Sequence, residues 1–149
     1  MFEIESKDQD EIVFTTAKKN VIRVNVGDFT IDAGLKVGKI EGPGEFEIGE
    51  ATIRGVAVKE KTIYDVEING VHVGVIGGIE EGLDDLGVAD ILCTSSVRAV
   101  REIEPKMVVA MGNVDGIVAE LKMTPRMEKK LKIKNLDSLA PTKEVVVLG

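Results

Sequence analysis

The side chains best suited to catalysis or metal binding are scarce in this sequence. Its 149 residues include one histidine, His72, and one cysteine, Cys93. His72 lies in an alternating run of valines, which favours a partly buried strand residue over a lone general base. Cys93 ends an apolar run without a basic neighbour, which favours a buried thiol over a reactive one. A Cys93–His72 catalytic pair would require the two strands to meet in space.

Acidic residues and glycines form two further patterns. Glutamates alternate with apolar residues near the middle of the chain, which is typical of the solvent face of a strand; they are Glu41, Glu45, Glu47 and Glu50. A weak Ca²⁺ or Mg²⁺ site that combines them with Asp32 or Asp84 is the alternative, because these ions prefer oxygen ligands. Gly77-Gly78 lacks the Lys-Ser/Thr of a phosphate loop and precedes acidic residues, so a tight turn is favoured there.

The composition predicts one globular domain over residues 1–149. Hydrophobic residues make up 44% and charged residues 30%, and the net charge of −7 argues against a nucleic-acid partner. A single cysteine excludes an internal disulfide and favours a reducing compartment. The sequence contains no apolar run long enough to span a membrane, and its acidic first residues are unlike a secretory leader. We therefore expect a cytoplasmic protein without a membrane partner.

The first half of the chain is predicted to form a β-meander. Asn69-Gly70 is a strong hairpin signal, Gly27-Asp28 predicts a second turn, and Gly42-Pro43-Gly44 predicts a loop. The predicted strands are Glu11–Thr16, Val21–Val26, Phe29–Asp32, Ala51–Val58, Thr62–Ile68 and Val71–Ile76.

The second half is predicted to alternate strands and helices in the order β-α-β-α-β, which indicates a layered α/β sandwich. The predicted strands are Asp90–Cys93, Lys106–Ala110 and Lys143–Leu148, and the predicted helices are Ser95–Ile103 and Asp115–Leu121. Thr124-Pro125 is expected to start another helix, with proline in its first turn. The basic stretch Leu121–Lys134, net +5, is expected to form a solvated surface helix, or to drive self-association or binding of an acidic partner.

Three segments in this order resemble the metallo-β-lactamase fold, in particular its small Zn-dependent hydrolases similar to the ascorbate-phosphate lactonase branch. They are Ile40–Ile53 (IEGPGEFEIGEATI), Lys61–Gly77 (KTIYDVEINGVHVGVIG) and Ala89–Met111 (ADILCTSSVRAVREIEPKMVVAM). The tail Leu131–Leu148 also matches that branch, whereas the likeness over residues 11–34 is thinner. The resemblance implies an αββα sandwich, here in a shortened form.

The departures from the family pattern affect its metal ligands. The family binds zinc through an HxHxDH run, which does not occur here, and Asp32 is followed almost directly by Gly42-Pro43-Gly44. Gly78 stands where the family has its bridging aspartate, and Gly112 where it has its final histidine. Catalytic zinc needs three protein ligands, so these departures predict a chain without a metal or another cofactor. The former metal cleft would be lined by Asp32, Gly42, Pro43, Gly44, Glu45, Gly77, Gly78, Met111 and Gly112.

The sequence therefore favours a metal-free, non-catalytic relative of these hydrolases that acts as a binding or scaffold protein. A shortened sandwich exposes sheet edges, and a homo-oligomer, most simply a two-fold dimer, would cover them. Two alternatives stay open. One is a hydrolase of phosphoesters or lactones with unconventional ligands, and the other is a sensor that binds an unidentified small molecule in the emptied cleft.

Overall fold

The computed structural model describes residues 1–34, 38–140 and 143–149, which form two β-sheets and two α-helices. In the first half the strands are β1 (Phe2–Ser6), β2 (Glu11–Thr16), β3 (Val21–Asn25), β4 (Thr30–Asp32), β5 (Lys39–Glu41), β6 (Gly44–Ile48), β7 (Ala51–Val58), β8 (Lys61–Ile68) and β9 (Val71–Gly77). After a 3₁₀ turn at Leu83–Leu86 come β10 (Ile91–Thr94), α1 (Val97–Ile103), β11 (Met107–Ala110), α2 (Val114–Leu121), β12 (Arg126–Glu128), β13 (Leu131–Ile133), a 3₁₀ turn at Leu136–Ser138 and β14 (Glu144–Leu148).

The two sheets differ in strand direction. The first sheet has the order β13-β1-β2-β3-β4-β5, and all its neighbours are antiparallel. The second has the order β12-β14-β11-β10-β9-β8-β7-β6. Its β6–β9 part is an antiparallel meander, and from β9 to β12 neighbouring strands are parallel. The parallel strands β9, β10 and β11 finish at the same end of the sandwich, which we call the carboxyl end.

Two apolar cores hold these layers together. The first lies between the sheets, where Phe14 and Ile22 of the first sheet meet Val73 and Cys93 of the second. The second lies on the other face of the second sheet, where α1, α2 and the Leu83–Leu86 turn cover Ile76, Leu92 and Val108. Strands β10 and β11 are buried at every residue, as expected for parallel strands covered on both faces.

Local sequence signals explain several turns and ends. Asn69 and Gly70 both have positive φ, at 54° and 78°, as a type I′ hairpin turn requires. The Ser96 hydroxyl accepts a hydrogen bond from the backbone N–H of Ala99 at 3.1 Å and so caps the start of α1. In the turn between β3 and β4, the Asn25 side chain accepts bonds from the backbone N–H groups of Gly27 and Asp28. These three predictions are confirmed.

The predicted strands and the helices α1 and α2 are present in the expected order, with β12 and β13 inserted before the last strand, but the αββα layering is not confirmed. In the residues that the structure describes, helices pack on the second sheet, and no helix covers the outer face of the first. That face carries polar and charged residues at alternate positions, for example Arg23 on β3, so water can cover it. Among the described helices, none is long and apolar enough to cross a membrane.

The prediction of a helix in the basic stretch is wrong. Helix α2 ends at Leu121, and the next residue, Lys122, has a positive φ of 53°. Thr124 precedes a proline, a position that disfavours helical backbone. The segment then forms β12 on the edge of the second sheet and β13 on the edge of the first. Leu131 and Ile133 are buried while Lys132 is exposed, so the period-two pattern Leu-Lys-Ile-Lys was the signal for a strand.

Candidate functional site

The carboxyl end of the second sheet gathers four of the nine predicted cleft residues. Gly77 is the last residue of β9 and Gly78 follows it, and Met111 and Gly112 follow β11. Between them, the Thr94 hydroxyl of β10 donates a hydrogen bond to the Gly77 carbonyl at 2.6 Å. The backbone N–H of Met111 donates to the Thr94 carbonyl at 2.9 Å, and the Met111 side chain is buried in the core between the sheets. Backbone and hydroxyl bonds therefore tie these loops to one another.

Turns of the first sheet cover this end. A Cβ atom on Gly77 would lie 2.8 Å from Cγ2 of Val26, so the valine occupies the space beside that glycine. A Cβ on Gly112 would lie 3.7 Å from the Gln9 side chain, and one on Gly78 would lie 3.2 Å from the Ser95 hydroxyl. These three glycines thus face a valine, an amide and a hydroxyl.

Gly42 and Pro43 lie beside the β3–β4 turn. The backbone N–H of Gly42 donates to the Phe29 carbonyl at 3.1 Å. Both residues line an open cavity of about 430 Å³ that also includes Asp28 and the β7–β8 turn. A neighbouring cavity of about 500 Å³ lies between the β7–β8 turn and the loop that begins at Gly78. Two open depressions are thus present beside the β3–β4 turn and the Gly78 loop, and the β7–β8 turn lines both of them.

The other predicted residues lie elsewhere or have a structural role. Asp32 lies at the end of β4 away from the β3–β4 turn, opposite Arg23, and its carboxylate accepts a bond from the backbone N–H of Gly34 at 3.0 Å. Glu45 lines a groove on the outer face of the second sheet. Gly44 begins β6, where its φ of 148° suits glycine. The structure does not bring Asp32 and Glu45 to the carboxyl end.

The side chains at the carboxyl end do not fit a catalytic zinc centre. Zinc prefers imidazole, thiolate and carboxylate ligands, whereas the groups that face the three glycines are those of Val26, Gln9 and Ser95. Over the described part of the chain, no group of three histidine, cysteine, aspartate or glutamate residues could hold a metal ion. The same observation gives no support to the alternative of a Ca²⁺ or Mg²⁺ site.

The cysteine and the histidine point away from each other. Cys93 is fully buried in the core between the sheets, and burial raises the pKa of its thiol. His72 faces the opposite side of the same sheet, in the groove that Glu45 also lines. A catalytic pair of these two residues is therefore ruled out by the sheet that separates them.

His72 has carboxylate partners that were not recognised from the sequence. Its Nδ1 atom lies 3.0 Å from Oδ2 of Asp65, and its Nε2 atom lies 3.6 Å from Oε2 of Glu67. Its backbone N–H donates to the Asp90 carboxylate at 2.9 Å. The Asn69-Gly70 turn was a usable signal, because a two-residue hairpin places Glu67 opposite His72 and Asp65 one diagonal step away.

These contacts change the pKa of both members of the pair. Burial lowers the pKa of the His72 imidazole, but the hydrogen bond and charge of Asp65, with the charges of Glu67 and Asp90, outweigh it and raise the pKa above 6.5. Burial raises the pKa of the Asp65 carboxyl, against the opposing effects of His72 and Arg54. Arg54 also donates to the backbone carbonyls of Asp85 and Leu86, so this cluster anchors the Leu83–Leu86 turn.

We expect stability to fall as the pH rises above 6.5, because His72 loses its proton there in the unfolded chain before it does so in the folded one. Its pKa is higher in the folded than in the unfolded chain, so its stabilising contribution is complete below the unfolded value of 6.5 and is lost as the pH passes the folded value. Urea unfolding at a series of pH values measures this slope.

The matched variant is His72→Gln, which keeps a polar side chain but does not titrate. Its unfolding free energy should be nearly independent of pH over the same range, because the chain has no other histidine. An equal slope in both proteins would show that the His72–Asp65 pair is not its source.

A solved structure with a similar fold is known. The structure is similar to a crystal structure from Thermotoga maritima, named as a proposed Zn-dependent hydrolase of the metallo-β-lactamase superfamily, with a TM-score of 0.73. The two chains are 14% identical, and the match covers 99% of each, so both have this small size. No protein-family model and no curated protein sequence matches the chain. The resemblance found in the sequence is therefore confirmed for the fold.

Proposed function

We propose that this protein has the metallo-β-lactamase fold without its hydrolytic centre, and acts as a non-catalytic binding or scaffold protein that associates with itself. The observation that carries the proposal is the composition of the carboxyl end. Glycines stand where the family has its bridging aspartate and final histidine, at Gly78 and Gly112, and Val26 fills the space beside Gly77.

The chemistry left at this end supports binding and not hydrolysis. A zinc hydrolase lowers the pKa of a metal-bound water to about 7, which requires ligands that hold the ion. The polar side chains here instead bond to nearby backbone. Thr94 donates to Gly77, and Asn113 donates to the Ser95 carbonyl at 3.0 Å. Such groups stabilise loops and can accept or donate hydrogen bonds to a ligand.

Self-association is supported by the sheet edges. Each sheet ends in short strands, β5 and β13 in the first and β6 and β12 in the second. An edge strand presents unpaired backbone N–H and C=O groups that can bond to a strand of another chain. A two-fold homodimer is the simplest assembly that pairs one such edge with itself.

Metal analysis tests the non-catalytic part of the proposal. We expect protein purified from zinc-supplemented medium and then dialysed to contain far less than one zinc ion per chain by elemental analysis. Added Zn²⁺ or Mn²⁺ should produce no turnover of phosphodiester or lactone substrates. The matched control is the His72→Gln/Cys93→Ala double variant, which removes the imidazole and the thiol.

Retention of one or two zinc ions per chain, or metal-stimulated turnover, would overturn the proposal and favour a hydrolase with unconventional ligands. Trace zinc at the same level in the wild type and the double variant would support it, because such zinc cannot depend on the strongest metal donors in the chain.

A further inference from the structure

We propose that two copies of this chain join through antiparallel pairing of strand β12, centred on Met127, so that the two eight-stranded sheets become continuous. This interface rests on the self-association proposed above and assigns it to one strand. Among the residues that the structure describes, β12 pairs with β14 on one side and lies at the edge of its sheet on the other.

The backbone of β12 presents hydrogen-bonding groups at the open edge of the sheet. Glu128 is opposite Leu148, and its carbonyl accepts a bond from the N–H of Gly149 at 3.0 Å. In a parallel ladder alternate residues bond to the same neighbour, so Arg126 and Glu128 bond to β14 and the N–H and C=O of Met127 point outward. A two-fold axis at Met127 lets the two copies exchange these bonds as a hydrogen-bonded antiparallel pair.

The side chains of β12 are complementary to themselves. Antiparallel pairing about Met127 places Arg126 of each copy opposite Glu128 of the other, which makes two pairs of opposite charge. The two Met127 side chains then lie opposite each other on the other face of the strands. Met127 is 68% exposed, although it is a large apolar residue in a strand, and pairing would remove it from water.

Two of the other edges disfavour pairing with themselves. On β6, a two-fold axis at Phe46 would place Glu45 opposite Glu47, so like charges would meet. On β13, an axis at the central Lys132 would place the two lysines opposite each other. Charges of this kind on edge strands are a common protection against unwanted pairing.

The remaining edge, β5, has the same order of charges as β12 but no exposed apolar centre. Its central residue, Ile40, packs against the core between the sheets. Pairing of β5 would thus bury little new apolar surface, and β12 is the edge that combines charge complementarity with an exposed apolar residue.

Nearby acidic residues offset the positive charge of the surrounding basic stretch. The Lys130 ammonium lies 3.6 Å from Glu3 and 3.8 Å from Glu5, on the neighbouring strand β1. The Arg126 guanidinium lies 3.4 Å from the Glu144 carboxylate. Two copies of the stretch can therefore approach with less repulsion than its net charge of +5 suggests.

Charge exchange on β12 tests this interface. In Arg126→Glu, positions 126 and 128 are both acidic, so each faces an acidic residue of the second copy and repels it. In Glu128→Arg both positions are basic, and the two copies repel each other in the same way. Each variant alone should show the mass of one chain, 16.1 kDa, by light scattering at micromolar concentration, whereas the wild type shows twice that mass. An equimolar mixture should form a heterodimer, because every charge then faces its opposite.

A further variant guards against misfolding of the charge variants. Met127→Lys changes an exposed side chain, should keep the wild-type circular dichroism spectrum, and should also be monomeric. If the wild type is dimeric and all three variants remain dimeric, the β12 interface is wrong while self-association stands. If the wild type is monomeric, self-association and the interface both fail, and the metal-free proposal is decided separately by the zinc content.

Discussion

Substitution of Gly77 by alanine should lower the free energy of unfolding by about 2–4 kcal/mol, because two costs act at this position. Gly77 has a φ of 58°, a left-handed conformation that a residue with a Cβ adopts only at a cost. The new Cβ would also lie 2.8 Å from Cγ2 of Val26, which is closer than van der Waals contact allows. Chemical denaturation of the two proteins measures the loss.

Two controls separate these costs. Gly70→Ala has the same kind of backbone, with a φ of 78°, but no atom lies within 4 Å of its Cβ, so it should lose only about 1–2 kcal/mol. In the double variant Val26→Ala/Gly77→Ala, the loss should be smaller than the sum of the single losses, because the collision is gone. Equal losses for Gly70→Ala and Gly77→Ala would show that Val26 does not fill this space.

Phe14→Ala should destabilise the fold by about 3–5 kcal/mol, the cost of truncating a fully buried aromatic side chain. Phe14 is 0% exposed between the sheets, and its ring centre lies 6.5 Å from that of Phe2. If no metal centre joins the two sheets, this core holds them together, so its largest side chains carry much of the stability. Thermal and urea unfolding give the difference.

The matched substitution is Phe46→Ala on the edge strand β6. Phe46 is only partly buried at the border of the same core, so its removal leaves a smaller cavity and should cost clearly less. If the two substitutions lowered the free energy of unfolding by similar amounts, the buried centre of the core would contribute no more to stability than its border, contrary to this prediction.

Short-range patterns were sufficient for most of the elements. The apolar alternation of β2 and β7 predicted their bounds in full, and serine before an apolar helix predicted the cap of α1. These features depend on neighbours within a few residues, which the sequence displays directly. The missing zinc ligands were visible for the same reason, because the number of histidines and cysteines does not depend on folding.

Long-range contacts were not visible in this way. Val26 and Gly77 belong to different sheets, and their proximity depends on how the two sheets pack together. No local sequence pattern specifies the angle or the separation of the sheets. Strands β12 and β13 form because free edges of both sheets supply backbone partners for a segment that, taken alone, looked like a basic helix. The edge that Met127 exposes, and hence the proposed dimer, depends on that placement.

The fold class and the scarcity of imidazole and thiolate donors can thus be recognised from residue types and periods, since burial of apolar faces and ligand chemistry are properties of the residues themselves. Tertiary structure decided which side chains face the carboxyl end, which carboxylate pairs with His72 and which sheet edge stays open. Each of these depends on distances between segments far apart in the chain.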